Sequence, residues 1–202
     1  MLKKLGIITS IGFLSVSFLF SQQNGEKLLK DLQLKFDKID NLSVDFTQRH
    51  NDKVSLTGIL LFKKENKIRI GAKQLIIVSD GTTSWNYNKK ENKVIISNYD
   101  ENDPGIFSIN NLVYRFPEEC DITAATDNGV RSLTFIPGSY EYNFDSLKIW
   151  LNDENLISKV LIIDSAMGQT EVEFSNYKVN QNINNSEFSF IPPEGSKIID
   201  LR

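Results

Sequence analysis

Downstream of Asn41 the chain is written almost throughout in period two. Leu42, Val44 and Phe46 alternate with Ser43, Asp45 and Thr47. Val54, Leu56, Gly58, Leu60 and Phe62 share one face of a longer run, and Ile68 and Ile70 return after a turn at Asn66. Successive side chains of a strand point to opposite faces, so this alternation predicts half-buried β-strands. Further strands are expected at 94–96, 121–126, 130–136, 145–151, 156–164 and 169–177, with a last short one at 188–191 ending at Pro192-Pro193. The turns are brief: Asp80-Gly81, Asp127-Asn128-Gly129, Asn152 to Asn155 and Met167-Gly168. Asp-Gly between apolar runs is a strong hairpin signal, because both residues tolerate positive φ. Parallel neighbours would need crossovers of a dozen or more residues. None is visible, so the sheet is expected to be antiparallel, with one polar and one apolar face.

Only two helices are expected. In "NGEKLLKDLQLKFDKID" Leu28, Leu29, Leu32, Phe36 and Ile39 recur at spacings of three and four, with Asn24 placed to cap the start. In the second, Asp103-Pro104 supplies a cap and a first-turn residue, Ile106, Ile109, Leu112, Val113 and Phe116 form the apolar stripe, and Pro117 ends it. Two helices cannot tightly cover the apolar face of about ten strands. Either the sheet closes on itself or it keeps an apolar hollow, the kind of place where fatty ligands bind.

The N-terminus sets the compartment. Lys3 and Lys4 precede an uncharged apolar run from Leu5 to Phe20, and Ser21-Gln22-Gln23 opens a polar region. That layout is a secretory signal peptide over residues 1–21, and its apolar run falls short of the roughly 20 residues that span a bilayer. Residues 22–202 are expected to be a single domain outside the cytoplasm. Without residues 1–21 the formal charge moves from −3 to −5. A mildly acidic chain with no basic run offers nucleic acid no electrostatic footprint. Cys120 is the lone cysteine, so no internal disulfide can form.

No catalytic constellation stands out. His50 is the only histidine and sits at an expected strand end beside Asn51-Asp52, which argues against a His-based metal centre or a Ser-His-Asp arrangement. Phosphate loops, G-x-S-x-G and H-E-x-x-H are all missing. Glu118, Glu119 and Asp121 read as a solvated bend. The stretch from Asp100 to Asp103 resembles a calcium loop, but Pro104 occupies a ligand position and the terminal Glu is lacking. Neither a metal nor a cofactor is expected.

Four stretches together resemble the periplasmic outer-membrane lipoprotein carrier family (LolA). "VDFTQ" (44–48) follows the first helix as that family's F-T-Q strand does. "GILLFKKENKIRI" (58–70) is similar to its G-x-L-x-F-K-R-P strand pair. "VSDGTTSWNY" (78–87) matches its V-S-D-G-x-x-x-W-x-Y hairpin, and "EFSFIPPEGSKIID" (187–200) its F-x-F-x-P-P-x-G ending. Each motif alone is weak; four in register are specific.

The resemblance implies an α+β, mainly antiparallel β fold: a strongly curved, unclosed half-barrel sheet with two or three helices packed in its concave face. It implies a monomeric, non-enzymatic periplasmic chaperone that binds lipoprotein acyl chains in an apolar cavity and ferries its cargo from the inner to the outer membrane. An ATP-driven inner-membrane transporter would be the donor, and an outer-membrane protein the acceptor. By face and by match, the expected cavity residues are Leu32, Phe36, Phe46, Leu60, Phe62, Ile68, Ile70, Trp85, Ile109, Leu112, Phe116, Leu147, Ile149, Val172 and Phe174, with Tyr87 beside Trp85 in the wall. The family's latch arginine between sheet and helices is replaced here by Lys64, followed by Glu65 in place of proline. Lysine lacks arginine's fork of donors, so a weaker latch is expected. Arg69, the other nearby cation, alternates onto the opposite face. The alternatives are a lipid or lipoprotein sensor of the same fold, which usually carries a second domain, and a lipid hydrolase dependent on His50.

Overall fold

The structure is a computed structural model that describes residues 12–100, 108–138, 142 and 144–202, with residues 12–24 described by their backbone alone. Helix α1 (Gly12–Asp37) leads into β1 (Asn41–His50), β2 (Lys53–Lys63), β3 (Lys67–Ala72), β4 (Leu75–Asp80), β5 (Thr83–Asn88) and β6 (Lys93–Asn98). A π-helical turn (Asn111–Arg115) runs into the short α2 (Phe116–Glu119). Strands β7 (Cys120–Asp127), β8 (Val130–Pro137), β9 (Ser146–Leu151), β10 (Ile157–Asp164) and β11 (Gly168–Val179) follow. A 3-10 turn (Asn185–Phe188) and β12 (Lys197–Asp200) complete the chain. One sheet holds all twelve strands in the order β12-β6-β5-β4-β3-β2-β1-β11-β10-β9-β8-β7, and its two ends do not pair. It is a curved, unclosed sheet with the helices packed against one face.

Alternation decides that face. Cross-strand partners share a side of the sheet, so the register gives continuous rows. Leu42, Phe62 and Ile68 form one, Val44, Leu60, Ile70 and Ile77 the next. On the other side of β1, Phe46 faces Phe174, and Val172, Val160, Ile149 and Leu133 continue in line. Leu28, Leu32 and Phe36 of α1 and Ile39 just after it join Leu112, Val113 and Phe116 against these rows in one core. Phe116 also meets Tyr142 and Phe144 edge-on, with ring centroids 5.5 and 5.4 Å away.

Several expected boundaries shift. Helix α1 already runs from Gly12, upstream of the expected cap at Asn24. Pro117 does not end the second helical segment but sits at the start of α2. Proline has no N–H to give the carbonyl four residues back. The preceding turn therefore widens, with Phe116 N–H donating to Asn111 O, and Gln33 Nε2 donates to the Val113 carbonyl at 3.1 Å. The expected start of that segment at Asp103-Pro104 lies outside the described residues. Val54 is 60% exposed although its alternation points inward. Gln48 pairs with Leu56 and Arg49 with Val54, so a bulge at Ser55 ends the alternation. The last expected strand, 188–191, is absent: Phe188 closes the 3-10 turn, and the strand lies further on as β12, which pairs parallel to β6. The sheet is therefore antiparallel except for that one edge.

Two glycines allow the tight bending. A Cβ on Gly58 would lie 2.2 Å from the Gly71 carbonyl oxygen, so β2 and β3 cross too closely for any side chain there. Gly81 has φ +95°, and a Cβ on it would lie 2.3 Å from Glu65 O. Asp80 Oδ1 braces that hairpin by accepting from Thr82 N, Thr82 Oγ1 and Thr83 N, each at 2.8 Å. Burial works to raise the Asp80 carboxyl, but these bonds outweigh it and hold the group below its usual range.

Replacement of Gly58 by Ala is expected to destabilise the protein by about 2–3 kcal/mol through overpacking against backbone. Gly129 has φ +83° with nothing within 4 Å of a Cβ, so Gly129→Ala should cost only about 1 kcal/mol. Urea unfolding midpoints of the two variants check the difference; equal losses would contradict the close crossing of β2 and β3.

Candidate functional site

The helices cover the concave face unevenly. Under α1 and the π turn the packing is dense. Among Phe36, Leu42, Val44, Leu60, Ile109, Leu112 and Phe174 only about 10 Å³ remains unfilled. Toward β3–β6 the same face carries an open hollow of about 200 Å³ with Ile68, Ile70 and Ile77 in its lining. A third space of about 260 Å³ lies where Phe36 and Ile39 meet Phe62, Lys64, Ile109 and Tyr114. The concave side thus has a filled half, an open half and a mouth between α1 and the β2–β3 turn.

The expected cavity residues divide accordingly. Leu32, Phe36, Phe46, Leu60, Ile70, Ile109, Leu112, Phe116, Leu147, Ile149 and Val172 are all buried in the main core, and Phe62, Ile68 and Phe174 pack against it half-buried. Ile68 and Ile70 also line the open hollow. Trp85 does not join them. It pairs with Val78 and Ile96, not with the row that holds Ile77, and so lies on the opposite face of the sheet. Tyr87 is on that face too, its ring centroid 5.6 Å from that of Phe190. Val78, Val94, Ile96 and Phe188 are buried there, apart from the main core. The C-terminal strap, 183–196, is tied over this side by Lys63 Nζ to Asn185 Oδ1 (2.7 Å) and Arg69 Nη1 to Glu187 O (3.0 Å). Trp85 and Tyr87 therefore anchor a strap on the outer face and do not wall the hollow.

Ile77 and Ser79 are the inward residues of β4 that the sequence does not reveal. "LIIVSD" is apolar at four successive positions, so periodicity cannot tell Ile77 from Val78. The opposition of Ile70 and Ile77 settles it.

Lys64 lies at the mouth. Its Nζ donates to Asp37 O at 3.0 Å, at the C-terminal end of α1, and to Asp40 Oδ1 at 2.9 Å. A cation is favoured there by the partial negative charge of the helix end. Tyr114, on the π turn, donates its hydroxyl to Asp37 Oδ1 at 2.7 Å. Burial, reinforced by that carboxylate, pushes the Tyr114 phenol well above its usual range, so it remains a donor. Sheet, α1 and the π turn are thus joined through Asp37. Arg69 faces the strap and takes no part.

Nothing at His50 prepares it for catalysis. Asn51 Nδ2 is 3.2 Å from Nε2, which places the ring proton on Nδ1, where it is donated to Thr170 Oγ1 at 3.1 Å. A ring nitrogen that donates to a hydroxyl cannot act as its base. Cys120 is half-buried, and its thiol is pushed up to about 11 by burial and by Glu119 and Asp121. Among the described residues no helix is long and apolar enough to cross a membrane.

The model of the outer membrane lipoprotein carrier protein LolA matches residues 37–191. An outer-membrane lipoprotein carrier protein of Azotobacter vinelandii is 24% identical over 197 residues, covering 92% of this chain and 94% of the relative. One from Francisella philomiragia is 25% identical over 219 residues, covering 98% of each. An uncharacterized conserved protein of Thermus thermophilus shares the fold, with a TM-score of 0.59 at 10% identity over 88% of this chain and 99% of the other. With the family model spanning most of the sheet, the chain belongs to the outer-membrane lipoprotein carrier protein family.

Proposed function

We propose that this protein is a periplasmic carrier that takes acylated lipoproteins released from the inner membrane and delivers them to the outer membrane. One observation carries the reading: a concave sheet face, apolar through Ile68, Ile70 and Ile77, is left open by the described residues where the helices stop. A buried CH₂ is worth roughly 0.8 kcal/mol, so an acyl chain of about 15 such groups costs on the order of 12 kcal/mol to leave in water. A chain in transit needs apolar walls along its length. Residues 1–21 would be the signal peptide that brings the protein to the periplasm, and family membership supports a binding protein rather than an enzyme. The donor would be an ATP-driven transporter in the inner membrane and the acceptor an outer-membrane protein. The carrier itself would work as a monomer.

The open hollow is smaller than the roughly 300 Å³ and more usual for ligand pockets. Full accommodation therefore requires the π turn and α2 to lift from the sheet, which would expose Leu60 and Phe174 beside the existing hollow. The contacts at Asp37 would bias the closed form, with Lys64 in the role of latch. Exposed ion pairs of this kind are worth only about 0–1 kcal/mol. That is a light latch, suited to a carrier that must also let go.

Two outcomes follow. Purified protein should keep a triacylated lipoprotein in solution. Ile77→Glu, which sets a carboxylate in the hollow, should reduce retention at least tenfold, while Ile163→Glu, at a 43%-exposed position on the outer face, should not. Retention unchanged by Ile77→Glu in a folded protein would remove the hollow from the binding site. Second, Lys64→Met combined with Tyr114→Phe should raise apparent affinity for an acylated peptide about two- to fivefold, because a larger fraction of molecules is open. Unchanged or weaker binding by titration calorimetry would show that these contacts do not gate the cavity.

A further inference from the structure

We infer that the hollow on β3–β6 contains a polar subsite for the ester carbonyls that join acyl chains to a glyceryl group. This rests on the acyl-carrier reading and specifies which part of the lipid is recognised. The row Leu42, Phe62 and Ile68 continues as Ser79, Ser84 and Ser97 on three consecutive strands. The row beside it stays apolar as far as Ile77. Along one line of the sheet, hydrocarbon therefore gives way abruptly to hydroxyls spaced by the interstrand distance of about 4.8 Å.

The hydroxyls have donors to spare. Ser79 is only 3% exposed. Its Oγ accepts from Gly81 N at 3.1 Å, and its own proton has no acceptor among the described residues. Ser84 and Ser97 line the same hollow and make no side-chain hydrogen bond among the described residues. Buried polar groups normally find partners, and Ser79 is buried while Ser84 and Ser97 are half-exposed to the hollow. Hydroxyls in a row beside an apolar floor fit a ligand that brings acceptors on a hydrocarbon body. Charge narrows its chemistry. Among the described residues lining the hollow there is no Lys or Arg. An ionised fatty acid or a phosphate would find no cation among them, whereas neutral ester carbonyls accept from serine without penalty. Acyl chains would lie over Ile68, Ile70 and Ile77 toward the helices, with the ester pair at the serines.

The same ester pair occurs in a diacylglyceryl-modified protein and in a diacyl phospholipid. The test compares, at equal chain length, a dipalmitoylglyceryl-cysteine peptide with its ether-linked analogue, and a dipalmitoyl phospholipid with its dialkyl counterpart. Binding is measured to the mature protein and to Ser84→Ala/Ser97→Ala, which spares the Ser79–Gly81 bond. Wild type should prefer the ester peptide over the ether about five- to tenfold, the scale of one or two neutral hydrogen bonds, and the double variant should lose that preference while binding the ether form unchanged. A preference limited to the peptide assigns the site to protein-borne lipid; one shared with the phospholipid assigns it to the ester pair from either source. Equal binding of ester and ether by wild type, or a preference that survives in the variant, overturns the serine subsite and leaves the carrier intact. Failure of every acyl ligand to bind would instead overturn the carrier reading itself.

Discussion

Everything in this molecule follows from an apolar sheet face larger than the helices available to cover it. Period-two sequence forces twelve strands into one unclosed layer whose main hydrophobic core lies on one side. Helix α1 supplies Leu28, Leu32 and Phe36, the residue just after it, Ile39, adds to them, and the π turn with α2 supplies Leu112, Val113 and Phe116. Where they meet Leu42, Val44, Leu60 and Phe174 they leave almost no free volume. Beyond Ile70, the described residues leave the concave face of β3–β6 open. The uncovered surface there is moderated by Ser79, Ser84 and Ser97, which limit how much hydrocarbon faces solvent in the empty protein.

The outer face solves a different problem. Val78, Trp85, Tyr87, Val94 and Ile96 would be exposed there, and the C-terminal strap covers them through Phe188 and Phe190. Arg69 and Lys63 hold that strap by hydrogen bonds to its backbone and to Asn185, and β12 closes the edge beside β6. Hydrogen bonds from Lys64 and Tyr114 join sheet, α1 and the π turn at Asp37, at the rim of the mouth. Gln33 supports the same segment from below by satisfying the Val113 carbonyl that Pro117 leaves without a partner. What lifting the segment uncovers is mainly hydrophobic surface, which an acyl chain can cover again.

Much of this architecture is legible in the residues alone. Alternation in β1, β2, β8 and β11 and the 3-4 stripe of α1 mark the elements and their inward faces, because half-buried strands and amphipathic helices write their orientation into the sequence. Where both faces of a strand are covered, that signal disappears. The run Leu75 to Val78 is apolar on both sides, so the pattern assigns Trp85 and Tyr87 to the cavity when they belong under the strap. "FSFIPP" alternates like a strand, yet Asn184 accepts from Ser186 N and starts a 3-10 turn instead. The parallel docking of β12 depends on a long-range partner that four residues cannot announce. The serine row is hidden for the same reason as Ile77: its meaning depends on register across three hairpins, not on any local pattern.

The central claim is that hydrocarbon binds on the β3–β6 half of the concave face. The most direct measurement is photo-crosslinking with an acylated peptide carrying a diazirine midway along one chain, followed by mass-spectrometric mapping of labelled residues. The account predicts adducts on β3–β5, centred on Ile68, Ile70 and Ile77. Labelling confined to the outer face around Trp150, or spread over exposed loops without preference, would contradict it.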